Sequence, residues 1–136
     1  MYELRTENFV MRLDFDNMKN DALSEYVKVL LYIKSDNFSA AANIEFEKYI
    51  LVSFSDELCD LYEKLEGKAL LDEEYGQASF VSFEGNGNGH FMVKGRLLET
   101  GKYGNRQYME FENDIEQSYL KEFCYDLKKG IRVKCE

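Results

Sequence analysis

The stretch IEFEKYILVSFSDELCDLYEKL, residues 44–65, decides the fold, because a second version of it follows 65 positions later as MEFENDIEQSYLKEFCYDLKKG, residues 109–130. Eight of the 22 aligned positions are identical, among them a Glu-Phe-Glu triplet and the pair Cys59 and Cys124. Each version begins with a strand pattern and continues with a helix pattern. We therefore predict an internal duplication of a strand–helix plan, with pseudo-repeats of about 1–67 and 68–136.

The helical part of each version has apolar residues spaced three and four positions apart, which is one face of a helix. These residues are Leu58, Leu61, Tyr62 and Leu65 in the first version and Leu120, Phe123, Cys124 and Leu127 in the second. Serine commonly caps a helix N-terminus, and glycine commonly follows its end. We predict a first helix from Ser53 or Ser55 to Gly67, and a second from Ser118 to Gly130.

Alternating apolar and polar residues predict the strands that precede each helix. The predicted strands cover residues 9–16, 26–34, 38–49, 68–73, 78–83, 90–98 and 106–112, with a short edge strand at 131–135. Turn signals lie at Asp36-Asn37, at Tyr75-Gly76, and in the glycine-containing runs 85–89 and 101–104. The prediction is a single α+β domain over residues 1–136. Its antiparallel sheet of about eight strands, in one layer or two, carries two helices on its apolar side.

The charge balance is strongly acidic. Seventeen Lys and Arg face 26 Asp and Glu, so the formal net charge is −9. Such a surface repels nucleic acid and anionic membrane and favours a basic partner, although solubility alone also accounts for it. The start of the chain lacks the features of a secretory signal, and three well-separated cysteines are typical of free thiols in a reducing compartment. We expect a cytoplasmic protein with no nucleic-acid or membrane partner.

No catalytic or metal-binding pattern stands out. His90 is the only histidine and the cysteines lack a C-x-x-C pair, which disfavours a catalytic triad and a zinc site. The glycine run 85–89 leads into a strand, whereas a phosphate loop leads into a helix N-terminus. We expect no cofactor and no enzymatic activity.

The sequence disfavours an EF-hand calcium site and leaves a carboxylate-based enzyme open. Asp14, Asp16 and Glu25 fit three positions of an EF-hand loop, but Met18 and Lys19 stand where the loop needs an oxygen ligand and a glycine. A hydrolase or transferase that uses paired carboxylates stays open as the weakest of three hypotheses, because acids are abundant and no spacing singles out a pair.

Three segments resemble the WapI-type immunity proteins, which protect bacteria from toxin domains. They are LCDLYEKLEG at 58–67, GHFMVKG at 89–95, and MEFE at 109–112 followed by IEQSYL at 115–120. The family tends to show an Asp-Gln-Thr-Tyr-Leu helix start, from which Glu116-Gln117-Ser118-Tyr119-Leu120 departs conservatively. The similarity runs from about Phe9 to Lys129. It implies neutralisation of a toxin domain, often a nuclease, by stoichiometric binding.

The candidate partner-binding residues are acids expected at the surface, with two tyrosines as aromatic anchors. An acidic protein docking on a basic nuclease site would gain association rate by electrostatic steering. The candidates are Asp56, Asp60, Asp72, Glu73, Glu74, Tyr75, Tyr108, Glu110, Glu112, Asp114 and Glu116. The alternative function is an intracellular homodimeric scaffold or regulatory binding domain without catalytic activity.

Overall fold

The structure, a computed structural model, describes residues 1–15, 23–73 and 79–135. The first half consists of β1 (Tyr2–Arg5), β2 (Phe9–Asp14), β3 (Tyr26–Ser35), β4 (Phe38–Glu47) and α1 (Lys48–Lys64). The second half consists of β5 (Glu66–Asp72), β6 (Phe80–Asn86), β7 (His90–Thr100), β8 (Arg106–Glu116), a 3-10 turn (Gln117–Tyr119) and α2 (Leu120–Cys135). The predicted α+β fold with a repeated strands-then-helix plan is confirmed. The predicted turn at Tyr75-Gly76 lies outside the described residues.

The eight described strands form two antiparallel sheets of four, in the orders β1-β2-β3-β4 and β5-β6-β7-β8. The helices lie between the β1 edge of the first sheet and the β5 edge of the second, where α1 packs on α2 and β5, and α2 packs on β1. On the other side, the Phe9 and Phe111 rings lie 5.7 Å apart, and the Asn113 amide donates to the Ser35 hydroxyl. The inward residues of both sheets and the helices share one apolar cluster.

Helix α1 begins at Lys48, so the predicted start at Ser53 or Ser55 is wrong. Ser55 is buried inside the helix, and its hydroxyl donates to the Val52 carbonyl at 2.9 Å instead of capping an N-terminus. The apolar face already starts with Leu51 and Phe54, both fully buried, and this burial extends the helix towards β4. At the other end Leu65 is the residue that ends the helix, in the left-handed conformation with φ 66°, and Gly67, with φ 120°, already belongs to β5.

The prediction for the end of the chain is also wrong, because α2 continues through Gly130 to Cys135 and residues 131–135 form no edge strand. Ile131 is buried and extends the helix face of Leu127 by one turn. Ser118 lies in the 3-10 turn, and no side chain caps that turn. Strand β1, which the sequence analysis missed, supplies the eighth strand. It packs on α2, and a side-chain carbon at Gly130 would overlap the Tyr2 hydroxyl.

The contact between the helices includes two buried thiols from equivalent places in the two repeats. The Cys59 Sγ lies 3.4 Å from the Cys124 carbonyl oxygen. Burial raises the pKa of Cys59 above its ordinary 9.0 and raises the pKa of Cys124 to about 12. Because the folded state favours the neutral thiols, they contribute stability that is fully present below pH 9.0. This stability is lost as the pH rises through the folded-state pKa.

The first prediction concerns thiol labelling. At about pH 8, where thiolate is the reactive form, a maleimide should modify the half-buried Cys135 first and leave Cys59 and Cys124 protected. Mass spectrometry over time should show one label in native protein and three in denaturant. Labelling of Cys59 or Cys124 as fast as Cys135 would contradict the buried helix contact.

The second prediction concerns Gly130. Alanine normally stabilises a helix by ~1 kcal/mol relative to glycine. Here the overlap with Tyr2 should instead make Gly130→Ala destabilising by about 1–3 kcal/mol, measured by urea unfolding. The control is the same substitution in a Tyr2→Ala background, where the overlap is gone and the ordinary gain should return. Stabilisation by Gly130→Ala in the native sequence would show that β1 does not pack there.

Candidate protein-binding face

The outward face of the second sheet, here called the second-sheet face, consists of rows of residues that pair directly across neighbouring strands. One row of directly paired residues crosses all four strands as Asp72, Phe80, Arg96 and Glu110, and the next as Leu70, Ser82, Lys94 and Glu112. Below them lies the row Lys68, Glu84, Met92 and Asp114. At the two ends of β8, Tyr108 pairs with Leu98 and Glu116 pairs with His90.

Strand β8 gives this face its charge. It is an edge strand, and its four outward carboxylates, Glu110, Glu112, Asp114 and Glu116, are all exposed. Alternate residues of a strand lie ~6.8 Å apart, which is within the Debye length of ~8 Å at physiological ionic strength. Neighbouring carboxylates therefore repel one another, and a cation placed along β8 interacts with more than one of them.

Two of the four acids have polar side-chain partners on β7, one an arginine and one a histidine. Arg96 donates to Glu110 through Nε at 3.0 Å and Nη2 at 2.6 Å, and its guanidinium lies 6.0 Å from the centre of the Tyr108 ring. His90 Nδ1 lies 2.8 Å from Asp114 Oδ1. Within the described parts of the chain, Glu112 and Glu116 form no ion pair within 4 Å. These two are therefore the acids most available to an external cation.

The two outward faces differ in charge. The second-sheet face carries seven carboxylates and four Lys and Arg, which gives a formal charge of −3. The carboxylates are those of Glu66, Asp72, Glu84, Glu110, Glu112, Asp114 and Glu116, and the cations are Lys68, Lys94, Arg96 and Arg106. The strand register of the first sheet gives a formally balanced outward face, with Arg5, Arg12, Lys28 and Lys34 against Glu3, Asp14, Glu45 and the buried Glu47. The negative potential therefore belongs to the second sheet.

An apolar strip crosses the second-sheet face beside the acids. Its members are Leu70, Phe80, Leu98 and Tyr108, which follow one another diagonally from β5 to β8, and none of them is buried. An apolar centre with a charged rim is the usual anatomy of a protein–protein interface. Leu70, Phe80 and Leu98 are not among the predicted partner-binding residues, although their outward register follows from the strand alternation.

The structure brings six of the eleven predicted partner-binding residues to this face: Asp72, Tyr108, Glu110, Glu112, Asp114 and Glu116. Asp56 and Asp60 lie apart, on the exposed side of α1, and Asp56 pairs with Lys128 of α2 at 3.3 Å. The Glu73 carboxylate accepts from the Ser79 backbone N–H at 3.0 Å. Glu74 and Tyr75 lie outside the described residues. The assignment of all eleven to a partner stays a prediction.

The described residues contain no group of three or more His, Cys, Asp or Glu that could hold a metal ion. None of the helices in that part of the chain is long and apolar enough to cross a membrane.

Comparison with known proteins finds a similarity at the level of a family. The sequence model of the immunity protein WapI-like family matches residues 6–132. No curated protein and no solved structure matches the chain.

The third prediction uses Asp72, whose pKa burial raises above the ordinary 3.8. The ionised carboxylate is therefore unfavourable in the folded state, and stability is lost as the pH rises through the folded-state pKa. The free energy of unfolding, measured with urea, is compared between Asp72→Asn and the native sequence. The variant should gain in this comparison at neutral pH, and the gain should be smaller or absent below pH 3.8.

The control is a variant of Glu3, which should show the opposite pH dependence of stability. Hydrogen bonds from Arg5 and Arg12 lower the pKa of Glu3, so its carboxylate contributes stability at neutral pH that is lost in acid. Glu3→Gln should therefore be less stable relative to the native sequence at neutral pH than in acid. If the stability differences of the two variants from the native sequence change with pH in the same direction, the burial of Asp72 is contradicted.

Proposed function

The chain belongs to the WapI-like immunity protein family, and we propose that it neutralises a cognate bacterial toxin domain by stoichiometric binding, without catalysis. The row of four exposed carboxylates on β8 carries this proposal, because it makes one face of the molecule negative and leaves the other balanced. The binding takes place in the cytoplasm, where the toxin domain would otherwise act.

The proposed partner is a basic domain, for which a nuclease is the best candidate. A nuclease must hold phosphates, and Lys and Arg side chains are the usual means. Glu112 and Glu116 offer carboxylates to such side chains without first breaking an ion pair. Charges at the rim of an interface mainly raise the association rate, which suits a protein that must capture a toxin before it reaches nucleic acid.

The alternative function is a homodimeric scaffold or regulatory domain. Edge strands of identical sheets often pair to form dimers. Antiparallel pairing of β8 with a second β8 would place carboxylates against carboxylates, and like charges directly opposite each other destabilise a sheet. The acids therefore favour a basic partner over a second copy at this edge.

The fourth prediction concerns charge reversal. The gene is co-expressed with each candidate toxin C-terminal domain from the same genome, and survival and co-purification are scored. Glu112→Lys combined with Glu116→Lys should weaken toxin binding by about tenfold or more at low salt, because two attractive charges become repulsive. The defect should shrink in about 1 M salt, where the Debye length is ~3 Å.

The matched control is Glu122→Lys combined with Asp126→Lys, which makes the same change in net charge at two exposed positions of α2, neither of them a predicted partner-binding residue. It should rescue like the native sequence. If only the control variant loses rescue, the interface lies on the helices. If the control and the β8 variant lose rescue equally, the effect comes from the change in net charge and not from a particular surface. Absence of rescue by the native sequence would remove the proposal itself.

A further inference from the structure

A groove of about 320 Å³ lies where the edge strand β4 of the first sheet approaches the β7–β8 hairpin of the second. Its β4 side consists of Phe38, Ser39 and three consecutive alanines, Ala40, Ala41 and Ala42. Leu97, Leu98 and Met109 line the opposite side. The small alanine side chains leave the space that a larger residue would fill.

The groove is nearly free of charge. Glu99 is its only charged lining residue, and its Oε1 already accepts the Asn43 backbone N–H at 3.0 Å. This hydrogen bond satisfies one donor of the β4 edge and directs one carboxylate oxygen towards the β4 backbone. The lining therefore favours an apolar occupant over an ion.

Two exposed aromatic side chains flank the groove. Phe38 is 72% exposed and Tyr108 is 66% exposed. The Arg96 guanidinium, which donates to Glu110, lies 6.0 Å from the centre of the Tyr108 ring. Large aromatic side chains next to a pocket are the residues that most often dominate binding energy.

Tyr108 also belongs to the second-sheet face, two residues before Glu110 on the same side of β8. A partner that contacts the acids of β8 therefore extends directly over the mouth of the groove. The acidic row and the groove therefore adjoin each other at Tyr108.

We propose that this groove receives one large apolar side chain, aromatic or long aliphatic, that projects from the toxin domain next to the basic residues bound by β8. This inference rests on the proposed function and adds the chemistry of the partner's surface, a basic patch with an apolar projection. The salt-insensitive part of the affinity comes from this insertion, because burial of apolar surface depends little on ionic strength.

The experiment measures the dissociation constant of the toxin domain identified by co-expression, titrated calorimetrically into purified variants at low salt and at about 1 M salt. Tyr108→Ala and Phe38→Ala should each weaken binding by about tenfold or more at both salt concentrations. Ala41→Leu, at an exposed position of β4, should weaken binding by filling the groove while removing nothing.

The control is Tyr49→Ala, which removes an aromatic side chain of similar exposure, 60%, at the start of α1. It should bind like the native sequence, and all variants should keep the same thermal midpoint. If the native protein binds and the Glu112 and Glu116 reversal weakens binding while the groove variants bind normally, only the groove inference is overturned. Self-association of the native protein that Tyr108→Ala abolishes would also overturn it, because the occupant would then be a second copy.

Discussion

No described strand is hydrogen-bonded into both sheets, so side-chain packing is the main interaction that holds the two halves of the molecule together. Helix α1 is the central element of this packing, because it connects β4 to β5 and contacts α2 on one side and β5 on the other. Leu51, Phe54 and Leu58 bury their side chains completely, and each such burial stabilises the fold by ~1.5–3 kcal/mol relative to an exposed position.

This arrangement determines which surfaces are available for binding. The inward faces of both sheets are occupied by the core, and the helices fill the gap between the β1 and β5 edges. The outward faces and the β8 edge remain at the surface. Only one outward face is negative, and its β8 side adjoins a groove whose lining is mostly apolar. The family membership indicates an immunity role, and this asymmetry is the basis for choosing one surface for the partner.

The sequence was sufficient for the fold class and for much of the acidic face, because both depend on local periodicity. The alternation within residues 106–112 is enough to place Tyr108, Glu110 and Glu112 on one side of a strand. Helix boundaries failed where tertiary contacts decided them. Ser55 bonds within the helix, and the packing of β1 on α2 places Gly130 inside a helix, although glycine usually marks an end. The groove could not be predicted, since it joins β4 to a hairpin that lies far along the chain.

Each sheet pairs only strands that follow one another along the chain, from β1 to β4 and from β5 to β8. Such short-range pairing favours rapid folding, and domains synthesised on the ribosome form from the N-terminus. The first sheet can therefore assemble while the second is still being translated. Strand β8, with its acids, is the last of the described strands to be made. A ribosome-bound chain thus displays its charged edge only after the first sheet, α1 and three strands of the second sheet have been made.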